Sequence, residues 1–156
     1  MTDRSVRRLL RDAVAWGDAH VTFDKAVAGL PPRLRGVVPA GLPHSAWQLV
    51  EHIRLAQADI LEFCIARTYR AKKWPDAYWP SSPSPKGASA WRSAIAAVRT
   101  DRRALQRLAT TADLAAAVPN GDGQTFGREI LLALDHTAYH VGQIVLVRRA
   151  LGHWPD

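Results

Sequence analysis

His136-Thr137-Ala138-Tyr139-His140-Val141-Gly142-Gln143 lies inside Phe126 to Leu151, the stretch whose reading decides the fold. Leu131, Leu134, Ala138, Val141, Val145 and Leu146 recur there at three- and four-residue steps, which predicts one long helix with these residues as its apolar stripe. Thr125 supplies an N-cap, and Gly152 and Pro155 close the segment. His136 and His140 are four residues apart, so both imidazoles leave one face about one turn, ~5.4 Å, from each other. That spacing lets two neutral imidazoles reach one metal ion at roughly 2.0–2.1 Å each. Chance also produces such pairs, so the rest of the chain must supply the support.

The support comes from a second helical pattern. Ser45 is a good N-cap, and Gln48 three residues later completes a capping-box pattern. Leu49, His52, Ile53, Ala56, Ile60, Phe63 and Cys64 then follow one face down to about Tyr69. His52 thus takes an inward position on an otherwise apolar stripe. A lone histidine there is usually a hydrogen-bonded core residue. Two inward histidines on another helix change that balance. Cys64 is twelve residues from His52, ~18 Å along the axis, and Asp59 is two turns away, so neither can share an ion with it. Cys64 reads as a small core residue.

Two further helices complete the pattern. The first starts at Thr2 or Asp3 and runs to about Gly17, with Val6, Leu9, Leu10, Ala13 and Trp16 or Gly17 as its apolar stripe; Phe23 to Ala28 forms a short helical piece after it. The other runs from about Ser89 to Thr110, with Trp91, Ile95, Val98, Leu105 and Leu108 inward and Arg99, Arg102, Arg103 and Arg107 on a solvated side. Long connections separate them. Gly29 to Pro43 is rich in Pro and Gly, and Lys72 to Gly87 carries Trp74-Pro75, Tyr78-Trp79-Pro80 and a Ser/Pro run. Its aromatics either pack as a lid over one bundle end or line a substrate mouth or partner surface. Pro119 to Gly123 is a turn without the Gly-Lys-Thr/Ser of a phosphate loop. No segment alternates with a period of two. The expectation is an all-α bundle with long crossover loops, one domain over residues 1–156, whose site is built from side chains on facing helices.

The 156-residue chain carries 21 Lys and Arg against 14 Asp and Glu, a net charge of +7. A basic balance invites a nucleic-acid reading, but the arginines are spread along the chain and no binding module accompanies them, so nucleic acid is not the expected partner. Cys64 is the single cysteine, which excludes an intrachain disulfide and fits a reducing compartment. No apolar leader and no membrane-length run is read, so a soluble cytoplasmic protein is expected.

With the two histidine-bearing helices side by side, His52, His136 and His140 converge. Three neutral imidazoles leave coordination positions open, whereas a closed structural site normally has four protein ligands. Thr137 stands where a His-Glu-x-x-His metalloprotease carries its general base, which excludes that class. Gln48 and Gln143 could orient a ligand from behind the triad. Each has an equally good structural role, as a cap partner and as an interhelical hydrogen bond. Gly142 reads as a close helix approach, and Asp135 and Glu51 point about 100° away from the ligands beside them. Imidazole protonation predicts metal loss below about pH 6.5.

Pro43-His44-Ser45-Ala46-Trp47-Gln48-Leu49-Val50-Glu51-His52, Trp74-Pro75 with Tyr78-Trp79-Pro80, and Asp135-His136-Thr137-Ala138-Tyr139-His140-Val141-Gly142-Gln143-Ile144 together resemble the DinB-like family and its YfiT-type relatives. The resemblance covers nearly the whole chain. It implies the DinB/YfiT-like four-helix bundle, a metal triad at His52, His136 and His140, and zinc or nickel as the ion. It also implies a small-molecule substrate, metal-dependent transferase or hydrolase chemistry, a low-molecular-weight thiol as cosubstrate, and a homodimer. The competing expectation is a non-catalytic, stress-related metal-binding scaffold.

Overall fold

The computed structural model describes residues 3–154 and turns the apolar steps into five α-helices: α1 (Asp3–Ala13), α2 (Phe23–Val27), α3 (Ala46–Ile65), α4 (Ala88–Thr111) and α5 (Phe126–Ala150). Four are long and α2 is a single short piece. Short 3-10 turns at Pro32–Leu34 and Asp76–Tyr78 punctuate the two long connections. No strand forms among the described residues; Ala117 and Thr125 make one isolated antiparallel bridge. The chain is all-α, as the missing two-residue alternation requires.

The helix starts follow their caps. The Ser45 hydroxyl accepts from the Gln48 backbone while the Gln48 side chain accepts from the Ser45 backbone, so the capping box is complete. Thr125 accepts from the Arg128 backbone at the head of α5. Thr2 and Pro155, read as a cap and a stop, lie outside the described residues.

α3 lies at the centre, packed against both α4 and α5, with α1 on α4 and α2 on α5. One apolar cluster joins Phe23, Trp47, Leu49, Ile53, Trp91, Val98, Val141, Ile144 and Val147. A second, nearer the other end, joins Leu10, Val14, Leu61, Leu105 and Ile130. Cys64 is buried within α3, and burial pushes its thiol up to about 12.

Several sequence expectations are corrected. α1 stops at Ala13 rather than near Gly17, and Leu9 and Trp16 are half exposed while Leu10 and Val14 face inward. α3 ends at Ile65, capped by Ala66, because Tyr69 leaves the helix to donate a hydrogen bond to Asp59. On α5, Leu131 and Leu146 point out, and Ile130, Ala133, Val141, Ile144 and Val147 form the buried stripe. A β-carbon at Gly142 would meet nothing within 4 Å, so this glycine marks no close approach. α5 is also long and apolar enough, by length and composition alone, to cross a membrane, contrary to the reading that no such run exists. One stripe of it packs into the core while Leu131, Leu132 and Leu146 stay exposed, and the helix also buries Glu129, His140 and Arg148.

Candidate metal centre

α3 and α5 bring three histidines from two helices to one point. Each of His52, His136 and His140 offers one ring nitrogen, and these atoms all lie within 4.8 Å of one another. His52 and His140 are buried and His136 is half buried. The facing Nε2 atoms of His52 and His136 are 3.0 Å apart. Two ligands of a tetrahedral ion held at ~2.0–2.1 Å stand about 3.3 Å from each other, so the spacing suits a shared ion after a small adjustment.

The ring nitrogens are oriented from behind. His52 Nδ1 donates to the Tyr78 carbonyl at 2.8 Å, which leaves the Nε2 lone pair free to face its neighbours. His140 Nδ1 donates to the Gln143 Oε1 at 2.7 Å, with the same consequence. A second bond of this kind is the usual means by which a ligating imidazole is held in one tautomer. His136 Nδ1 is buried without a hydrogen-bond partner.

Burial also keeps the cluster uncharged. It drives the pKa of His136 down to about 4, helped by His140 and His52. Burial likewise takes His140 to about 4, against the raising effect of its hydrogen bond to Gln143 and with His52 and His44 adding to the depression. His52 is lowered by burial too, partly offset by its bond to Tyr78. Neutral imidazole is the ligating form. The expected loss of binding below about pH 6.5 rested on unperturbed rings; with two pKa values near 4, proton competition in the folded chain begins lower.

The connection between α3 and α4 supplies more of the site than its composition suggests. The Tyr78 hydroxyl donates to Asp59 Oδ2 at 2.6 Å, Tyr69 donates to the same oxygen at 3.2 Å, and the Lys72 ammonium lies 3.2 Å from Oδ1. Asp59 on α3 thereby anchors the segment whose Tyr78 carbonyl holds His52. Burial and the Asp59 carboxylate both raise the Tyr78 phenol, so it stays a donor. Trp79 stacks on His52 at 3.9 Å with an interplanar angle of 3°, and its other neighbour, His44, stacks at 3.9 Å. The triad therefore sits at the base of an open cleft of about 390 Å³ that His44, Trp74, Trp79, Tyr139 and Gln143 also line.

Of the residues singled out from the sequence, His52, His136, His140 and Gln143 come together. Gln48 does not line the cleft; its side-chain oxygen is spent on the capping box. Glu51 forms a bidentate pair with Arg54, and Asp135 is exposed. His44, Tyr78 and Asp59 also surround the triad: Asp59 is no co-ligand, as the helix spacing requires, but it holds Tyr78, and the spacing indicates neither that contact nor the stacking of His44. The only sequence trace of them is the density of aromatics between Trp74 and Trp79, which left a substrate mouth as one of two readings.

A family model, the DinB superfamily, matches residues 15–144. No curated protein and no solved structure matches the chain.

Proposed function

Because the chain belongs to the DinB superfamily, we propose that it binds one divalent ion, zinc or nickel, through His52, His136 and His140, and that the ion serves a transferase or hydrolase reaction on a small molecule with a low-molecular-weight thiol as cosubstrate. One observation carries this reading: three uncharged imidazoles converge at the base of an open cleft, with no carboxylate or thiol among the groups that line it. A three-histidine set leaves coordination positions for a substrate. A divalent ion held there supplies Lewis acidity and lowers the pKa of a thiol or water that reaches it.

The chain's own residues prepare that position. Tyr78 and Gln143 aim the two buried rings. Trp79 covers one face of His52 and keeps water from it. Cys64 is not the nucleophile in this reading, since it is fully buried with a thiol held protonated near neutral pH. The reacting sulfur then comes from outside, which fits a reducing compartment such as the cytoplasm.

Elemental analysis of tag-free protein should return about one divalent ion per chain. Metal-loaded protein incubated with an electrophile and a set of small thiols should accelerate conjugation, and His140→Ala should not. Conjugation that survives both chelation and the substitution would sink the catalytic reading.

A further inference from the structure

The lining of the cleft points to what it accepts. Its walls are four histidines, two tryptophans, one tyrosine, one proline and one glutamine. Among the described residues, no Lys, Arg, Asp or Glu lines it. A ligand entering here meets no ion-pair partner among the lining residues, so a charged group other than the one that faces the histidines gains nothing from the walls. Recognition must come from rings.

Two of those rings are unusually bare. Trp74 is 68% exposed and Tyr139 is 65% exposed, although both are large side chains that normally bury most of their surface. They come from different elements, Trp74 from the α3–α4 connection and Tyr139 from α5. Each is steadied by a neighbour: Trp74 against Tyr78 at 5.2 Å, and Tyr139 edge-on to His140 at 4.9 Å. The same Tyr78 and His140 belong to the triad and its support, so the exposed rings and the metal position form one unit. Exposed aromatics that are held in place beside a reactive centre offer a flat ligand surface at little entropic cost.

On this ground, and resting on the metal reading above, we infer that the substrate class is a molecule with a flat aromatic ring adjacent to its single metal-facing group, the ring covered by Trp74 and Tyr139. Aliphatic and multiply charged molecules of the same size are poor ligands.

Three hydroxamates test this on zinc-loaded protein by calorimetry, because they share one metal-binding head group. Acetohydroxamate carries no ring, cyclohexanecarbohydroxamate carries an apolar but puckered one, and benzohydroxamate carries a flat one. Benzohydroxamate should bind at least about tenfold tighter than acetohydroxamate and roughly threefold tighter than the cyclohexyl compound. In the double variant Trp74→Ala/Tyr139→Ala its advantage over acetohydroxamate should shrink to within about threefold. Both replaced side chains are mostly exposed, and an unchanged melting temperature and zinc content confirm that the variant is intact. Equal affinity for all three compounds, or for the flat and puckered rings, overturns the inference while leaving the metal reading in place. So does a flat-ring advantage that persists in the double variant. A protein that takes up no zinc and binds no hydroxamate overturns the metal reading, and this one falls with it.

Discussion

The connections 66–87 and 112–125 look alike in sequence and behave differently in the structure. Both break a helical pattern with Pro and Gly, and each links two helices that pack together. The second closes partly on itself and otherwise ties to helix ends. Val118 donates to Gln124 and Ala117 bridges Thr125, while Asn120 donates to the carbonyls of Phe63 and Ala66 at the end of α3, the Ala112 carbonyl accepts from Arg7 of α1, and the Leu114 carbonyl accepts from Gly127 at the head of α5. The first spends its polar groups elsewhere: a carbonyl on His52, a phenol on Asp59, and the Pro83 carbonyl on the Ser45 hydroxyl. Turn chemistry makes a loop end a helix, but hydrogen bonds given to another element make it part of that element's site. The 66–87 connection should therefore govern metal affinity, and the 112–125 connection only stability.

That contrast can be ranked on one scale, metal affinity measured by calorimetry or competition with a chromogenic chelator. The largest effect belongs to the rings themselves. Replacing His52, His136 or His140 with Ala removes one ligand in three and should abolish stoichiometric binding, whereas His20→Ala and His153→Ala should leave it intact. Metal loss in the His153→Ala control equal to that in the triad would show that the ion sits elsewhere. Next come Asp59→Asn and Tyr78→Phe, which alter side-chain groups that touch no ligand directly. Each frees the segment that presents the Tyr78 carbonyl to His52, and affinity should fall by roughly tenfold to a hundredfold. An unchanged affinity in both would mean that the carbonyl is held by the backbone alone.

Part of this arrangement is legible in the sequence and part is not. The caps were: Ser45, Gln48 and Thr125 act where short polar residues precede apolar runs. The three histidines were legible because regular helices convert sequence spacing into spatial direction. The phase of α5 was not. Leu131 and Leu146 follow helical steps as faithfully as Ile130, Ile144 and Val147 do, and periodicity does not say which of two adjacent apolar stripes meets the neighbours. By helix spacing alone His44 stands two turns of axial distance from His52. It precedes the helix, however, and Trp79 bridges the gap by stacking on both rings. The support of His52 comes from a backbone carbonyl, which every residue carries, so no residue type at position 78 could announce it.

A smaller effect is expected where the same connection docks far from the rings. The Ser45 hydroxyl donates to the Pro83 carbonyl at 2.5 Å while accepting from the Gln48 backbone. Ser45→Ala removes a helix cap and a loop tether together, and should cost about 1–2 kcal/mol of stability in denaturant unfolding. His52 lies two turns further along α3, and its own partner Tyr78 stays tied to Asp59, so metal affinity should drop by no more than about threefold. A loss as large as that of Asp59→Asn would show that the whole connection moves as one piece.

The null effect on metal is the sharpest test, and it belongs to Asn120. Its side-chain amide donates to Phe63 and Ala66 at 2.9 Å each, satisfying two carbonyls at the end of α3 that no following turn can reach. In Asn120→Ala both carbonyls lose their partner, and about 1–2 kcal/mol of stability should go with them. The damage should stay local. Phe63 is eleven residues from His52, ~16 Å along the axis, and the fraying expected from a lost C-terminal contact is confined to the last turn. Asp59 stands one turn inside that point and is held independently by Tyr78, Tyr69 and Lys72. Zinc affinity should then remain within about twofold of wild type even as the unfolding midpoint falls. If Asn120→Ala instead weakened zinc binding as strongly as Asp59→Asn, fraying would be running through Asp59 into the triad, and the two connections would be parts of one cooperative unit.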